Sequence, residues 1–124
     1  MSNPFVHLDA DELDIAARRS GFERSGKRNW VKRTPDFVQL VNLQKSQWSS
    51  ENYLNFALWA VRLGEPPKLD ESKFHFRTRA EDLGAHDVEA FFVAADQLST
   101  ITALRNAEES GQIAGLMAKE LREL

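Results

Sequence analysis

His75, Arg77 and Arg79 alternate with Phe74, Phe76 and Thr78 in one short run. On a β-strand successive side chains leave opposite faces, so this spacing predicts an imidazole and two guanidiniums in a single row. Two guanidiniums can grip a carboxylate or phosphate, and an imidazole beside them can accept or give a proton. With Gln44 or Asn55 orienting the bound group, the row would serve an anion-handling hydrolase or transferase with His75 as its catalytic candidate. The bland alternative pairs the arginines with loop carboxylates such as Glu51, Asp70, Glu71 or Glu81, which leaves only a solvated sheet face.

The same alternation runs through Phe37–Trp48 and Tyr53–Val61. It predicts a dry face of Phe37, Val41, Leu43, Leu54, Phe56, Leu58, Ala60, Phe74 and Phe76. The opposite, decorated face gathers Asn42, Gln44, Ser46, Tyr53, Asn55, Trp59, His75, Arg77 and Arg79 as ligand-binding candidates. Gln44 and Ser46 have a humbler use as well, satisfying the backbone of the turn that follows. Val38, Leu40, Trp59 and Val61 make the decorated face partly apolar, so it is either an open binding floor or a surface that the C-terminal helix covers.

Several chemistries are excluded. The chain has no cysteine, which removes disulfides, thiolate catalysis and sulfur-ligated metal. His7, His75 and His86 are widely separated, with no metal-binding spacing among them, and no cofactor motif is present. Ser46 beside Lys45 makes no nucleophile motif, and no glycine-rich phosphate loop appears. A net charge of −3 argues against nucleic acid, although Arg18, Arg19, Arg24, Lys27, Arg28, Lys32 and Arg33 cluster against the single acid Glu23. No apolar run reaches the roughly 18 residues of a membrane span, and the N-terminus lacks a secretory pattern, so a cytoplasmic location is expected.

At 124 residues the chain fits one globular domain over 1–124, as a monomer or small homo-oligomer. Asp9 as N-cap, Glu12 completing a capping box, Leu8 stapled to Leu13, and Gly21 with Phe22 at the far end predict a helix over about 9–20. Phe22–Arg24 and Arg28–Arg33 flank a Ser25-Gly26 turn, and Pro35 shapes the next corner. Strands over 37–46, 52–63 and 73–79 follow, with Gly64–Asp70 as a surface loop. From Asp87 the period lengthens, giving one amphipathic helix to about Arg105. A last helix carries Ile113, Leu116, Met117, Leu121 and Leu124 on one stripe, with Gly111 and Gly115 weakening its start. The fold class is therefore α+β: an N-terminal helix, a meander of about five antiparallel strands and two C-terminal helices, with helices mainly on one sheet face.

Gly21-Phe22, Trp30, Val41–Ser46 with Trp48, Tyr53-Leu-Asn55 and His75–Arg79 together resemble the bacterial domain-of-unknown-function family numbered 4304, over most of the chain up to Leu83. The resemblance implies no activity. Its recurring polar positions fall on Asn42, Gln44, Lys45, Ser46, Asn55, His75, Arg77 and Arg79. All but Lys45 already belong to the decorated face. A patterned surface without recognisable catalytic machinery suggests a small cytoplasmic binding or interaction module, its partner a protein or a small anionic ligand.

Overall fold

A computed structural model describes residues 3–66 and 68–124. Helix α1 (Ala10–Arg19) begins at Asp9, whose carboxylate accepts the Asp11 and Glu12 amides. It ends as the glycine predicts. Gly21 turns left-handed at φ 89°, the Phe22 amide reaches back to Ala17 O at 2.9 Å, and that of Gly21 to Arg18 O. Leu8, Leu13, Ala17 and Phe22 are all buried in the core this geometry faces.

The strands are β1 (Glu23–Arg24), β2 (Asn29–Arg33), β3 (Phe37–Lys45), β4 (Asn52–Ala60), β5 (Phe76–Arg79) and β6 (Leu116–Met117). They lie in sequence order in one wholly antiparallel sheet. The first five form a meander, and β6 returns after the helices to line the edge of β5. Helices α2 (Val88–Asp96), α3 (Ile101–Glu109) and the short α4 (Lys119–Arg122) join α1 over one sheet face. The architecture is α+β, with six strands among the described residues where the sequence suggests about five. No helix among the described residues is long and apolar enough to cross a membrane.

The main core lies between the helices and the face carrying Phe37, Val41, Leu43, Leu54, Phe56, Leu58, Ala60 and Phe76. Phe91 sits at its centre, edge-on to Phe5, Phe56 and Phe92. Phe74 is a correction to the expected dry set. The turn Glu71–Lys73 is a 3-10 turn, not strand, so the alternation does not extend back through it, and Phe74 packs with Val38, Leu40 and Ala57 on the other face. The strand expected to reach residue 63 likewise ends at Ala60, and Val61–Leu63 forms a 3-10 turn.

Two helical expectations are corrected as well. The single helix from Asp87 to about Arg105 is broken after Asp96. Buried Gln39, in line with Phe37 and Val41, donates its amide to Ala95 O at 2.9 Å and Leu98 O at 3.4 Å. Asp36 accepts the Ile101 amide at 2.8 Å, and Thr100 caps Ala103, so the next helix starts afresh. The last expected helix opens instead as β6: Leu116 pairs with Arg77 and is exposed, while Met117 pairs with Phe76. Thr78 Oγ1 donates to Ala114 O, and the Ala118 amide to His75 O at 2.6 Å, which holds the segment extended.

Gly115 is needed there for room. A Cβ at this position would lie 2.7 Å from the buried Phe76 ring and 2.9 Å from Arg77 O. Because Phe76 is fully buried and cannot retreat, Gly115→Ala is expected to cost about 1–3 kcal/mol, read as a lowered urea midpoint at unchanged slope. An unchanged midpoint would mean that β6 yields freely.

Candidate functional site

Strand register places the decorated-face side chains in rows. One row runs Asn29, Asn42, Asn55, Arg79 across β2 to β5. Beside it, toward the β3–β4 turn, Gln44 stands opposite Tyr53. On its other flank lie Val31, Leu40, Ala57, Arg77 and Leu116, followed by Arg33, Val38 and Trp59. His75 immediately precedes β5 and comes to Trp59, with ring centroids 4.1 Å apart.

The asparagine row is a directed hydrogen-bond chain. Asn55 Nδ2 donates to Asn42 Oδ1 at 3.1 Å and Gln44 Oε1 at 3.0 Å. Asn42 Nδ2 donates to Asn29 Oδ1 at 2.8 Å, and Asn29 Nδ2 to Leu69 O at 3.4 Å. Each amide thus orients the next, and buried Asn55 fixes the centre. The Gln44 amide nitrogen has no hydrogen bond among the described residues and is an unspent donor at the end of the chain.

Arg79 lies over the Tyr53 ring, its guanidinium carbon 4.0 Å from the ring centroid. Neither Arg79 nor Arg77 forms an ion pair with a carboxylate among the described residues, although both are half-buried. None of the loop acids Glu51, Asp70, Glu71 and Glu81 pairs with either arginine. Asp70 accepts the Ser72 amide at 3.0 Å and its hydroxyl at 2.7 Å, which holds the Asp70 carboxyl below its ordinary range. Glu81 Oε1 is buried without a partner.

The remaining candidates separate from this group. Ser46 Oγ accepts the Trp48 amide at 3.1 Å, so its hydroxyl serves the β3–β4 turn. Trp59 donates to Gly64 O at 2.7 Å and meets Phe74 edge-on. The chain after Gly64 folds back there, and Leu69 and Phe74 join Val31, Val38, Leu40, Ala57, Trp59 and Val61 in a second, smaller core. A loop, rather than the C-terminal helix, therefore covers the apolar half of the decorated face. The polar half stays open as a cleft of about 410 Å³ lined by Asn29, Asn42, Gln44, Lys68, Leu69, Asp70 and Glu71.

His75 is buried against Trp59, and its Nδ1 accepts the Ala60 amide at 3.0 Å. Burial lowers its pKa below the ordinary 6.5, with Glu120 pulling weakly the other way. A neutral imidazole that accepts at Nδ1 carries its proton on Nε2. It can present a donor, but taking up a proton would cost the Ala60 bond.

Asn29 and Lys68 are site residues that the sequence reading passed over. Asn29 was legible, since it alternates with Val31 on β2. Lys68 had no signal, because nothing local says where a loop residue comes to rest. Among the described residues, no three His, Asp or Glu side chains gather closely enough to hold a metal ion.

The model of a protein family described as Domain of unknown function (DUF4304) matches residues 13–123. No curated protein and no solved structure matches the chain.

The His75 arrangement has a measurable consequence. Its folded pKa lies below its unfolded value, so as pH falls the unfolded chain takes up the proton first. Its contribution to stability is full above about 6.5 and is lost as pH drops toward the folded pKa. An NMR titration is expected to give a midpoint below 6.5 with Nε2 protonated in the neutral form; a midpoint above 6.5 would overturn the assignment.

Proposed function

The chain belongs to the DUF4304 family of domains of unknown function, and from that footing we propose that it is a small binding module whose open sheet face takes a carboxylate-bearing partner. The observation that carries this reading is the pair Arg77 and Arg79: two apart on β5, half-buried, and without a carboxylate of their own among the described residues. Desolvating a guanidinium costs free energy, and an anion that reaches the pair offsets the cost. Arg79 is held against Tyr53, which fixes its plane before anything binds.

The neighbouring groups suit a peptide-like ligand. The cleft on the same face, across β4 from the arginines, offers amides from Asn29, Asn42 and Gln44, which can meet backbone donors and acceptors. Asp70 and Glu71 on the same cleft disfavour a second carboxylate there. A short acidic segment of a protein partner fits these requirements, and a small dicarboxylate shares the chemistry. The cytoplasmic, bacterial setting expected from the sequence belongs to the same proposal.

Two observations weigh against the hydrolase or transferase centred on His75, Arg77 and Arg79. The imidazole is committed to Ala60 and stacked on Trp59, so it is poorly placed to accept a proton. Ser46, a hydroxyl candidate on the face, is tied into its turn.

A thermal-shift screen at fixed ionic strength, using dicarboxylates, phosphorylated metabolites, nucleotides and a Glu-rich peptide, tests the reading. A ligand at about 100 times its dissociation constant adds about 2.7 kcal/mol of apparent stability. The expected result is a shift with a carboxylate probe that is lost in Arg77→Ala and Arg79→Ala, both folded. No shift with any probe, or one indifferent to both substitutions, would defeat it.

A further inference from the structure

On the helical side, away from the sheet cleft, a groove of about 690 Å³ runs between α1 and α2. Its floor and lips are Ile15, Ala16, Phe22, Val88, Phe92 and Val93. Ile15 and Val93 are large apolar side chains left 56% and 60% exposed. Helix α2 reads Val-Glu-Ala-Phe-Phe-Val-Ala-Ala-Asp, apolar almost all the way round, a composition suited to a helix covered on both sides. The described residues of its own chain cover only one.

The charges on the groove are ordered. Lys32 Nζ reaches both Ser20 O, at the end of α1, at 2.9 Å and Asp96, the last residue of α2, at 3.6 Å. Glu12 and Glu89 flank a common cleft at the opposite ends of the same two helices. The helices therefore run parallel, with Glu12 and Glu89 at one end of the groove and Arg19 at the other, where Lys32 and Asp96 offset each other. Glu12, Glu89 and Arg19 form no ion pair among the described residues.

The geometry points to a second copy of this chain as the occupant, related by a two-fold axis across the groove. Such an axis turns the groove end for end, so Glu12 and Glu89 of each copy face Arg19 of the other. It also sets the helix dipoles of the two copies antiparallel. The α1 ridge of each copy, carrying Ile15, enters the groove of the other and meets Val93, giving a four-helix arrangement. The pattern is self-complementary in charge as well as in apolar surface. An unrelated helix would have to match that order by its own sequence.

Sedimentation equilibrium of the full chain, from about 1 µM to about 1 mM, covers the affinity range of weak to moderate dimers. The mass is expected to rise with concentration from 14.1 kDa toward twice that value. Val93→Asp, at an exposed position that leaves the core intact, is expected to hold the chain monomeric. Arg19→Glu sets like charges against each other at both ends and should weaken association about tenfold or more. Adding Glu12→Arg to the same chain restores opposite charges and should recover part of that loss. A chain that stays monomeric throughout overturns the proposal. So does a dimer indifferent to Val93→Asp and Arg19→Glu, or a monomer that binds an amphipathic peptide at Val93. These outcomes are read without any anion, so they are independent of the Arg77 and Arg79 site.

Discussion

The ladder between β3 and β4, paired without interruption from Phe37–Ala60 to Lys45–Asn52, is the constraint on which both faces of the molecule depend. Side chains alternate with a period of two, so a slip of one residue would send Phe37, Val41 and Leu43 to the decorated face and Asn42 and Gln44 into the core. The apolar content of one face enforces the register, and the register in turn brings Asn42 opposite Asn55 and Gln44 opposite Tyr53. Polar order on the open face is thus a by-product of hydrophobic order on the buried one. Leu54, Phe56 and Leu58, all fully buried, hold the asparagine chain in line from behind.

Gln39 shows how the two layers are locked together. It occupies an inward position of β3 that an apolar residue would fill more cheaply, yet its amide hydrogen-bonds the carbonyls of Ala95 and Leu98, where α2 runs out. Ala95 O also takes the Leu98 amide at 3.0 Å, and the buried side chain adds a second donor to it and one to Leu98 O, past the end of the helix. Thr34 adds a bond from its hydroxyl to Ser99 O, and Asp36 takes the first amide of α3. The break between α2 and α3 is fastened to the β2–β3 corner from several sides.

The decorated face is divided by the chain that crosses it. Leu69 and Phe74 settle on Val38, Leu40 and Ala57 because those side chains would otherwise leave a broad apolar patch in water. The same loop delivers Lys68, Asp70 and Glu71 to the rim of the cleft and the Leu69 carbonyl to the asparagine row. Covering the apolar half and framing the polar half are one structural act. This also explains why His75, grouped by alternation with the arginines, is buried while Arg77 and Arg79 are only half-buried: it stacks on Trp59 beside the loop, whereas Arg79 rests on Tyr53.

Local chemistry was enough to determine the sequence-legible part of this protein. Asp9, Gly21 and Phe22 delimit α1 because capping bonds span only a few residues, and the alternation of β3 and β4 names their two faces because each strand carries its own apolar record. Asn42, Gln44, Asn55, Arg77 and Arg79 could therefore be assigned to one surface from the chain alone. Only the tertiary structure decided what those residues meet. Whether Phe74 faces the helices or the loop, whether Leu116 and Met117 coil or pair with β5, and which atom His75 accepts from all depend on groups distant in sequence. Gly115 is the clearest instance. Read locally it is a weak helix residue; in the fold it is the one side chain small enough to let β6 lie against Phe76 and Arg77. Propensity is a property of a residue and its near neighbours, whereas contact belongs to the folded chain, and the smaller energies of the first yield to the second wherever the two disagree.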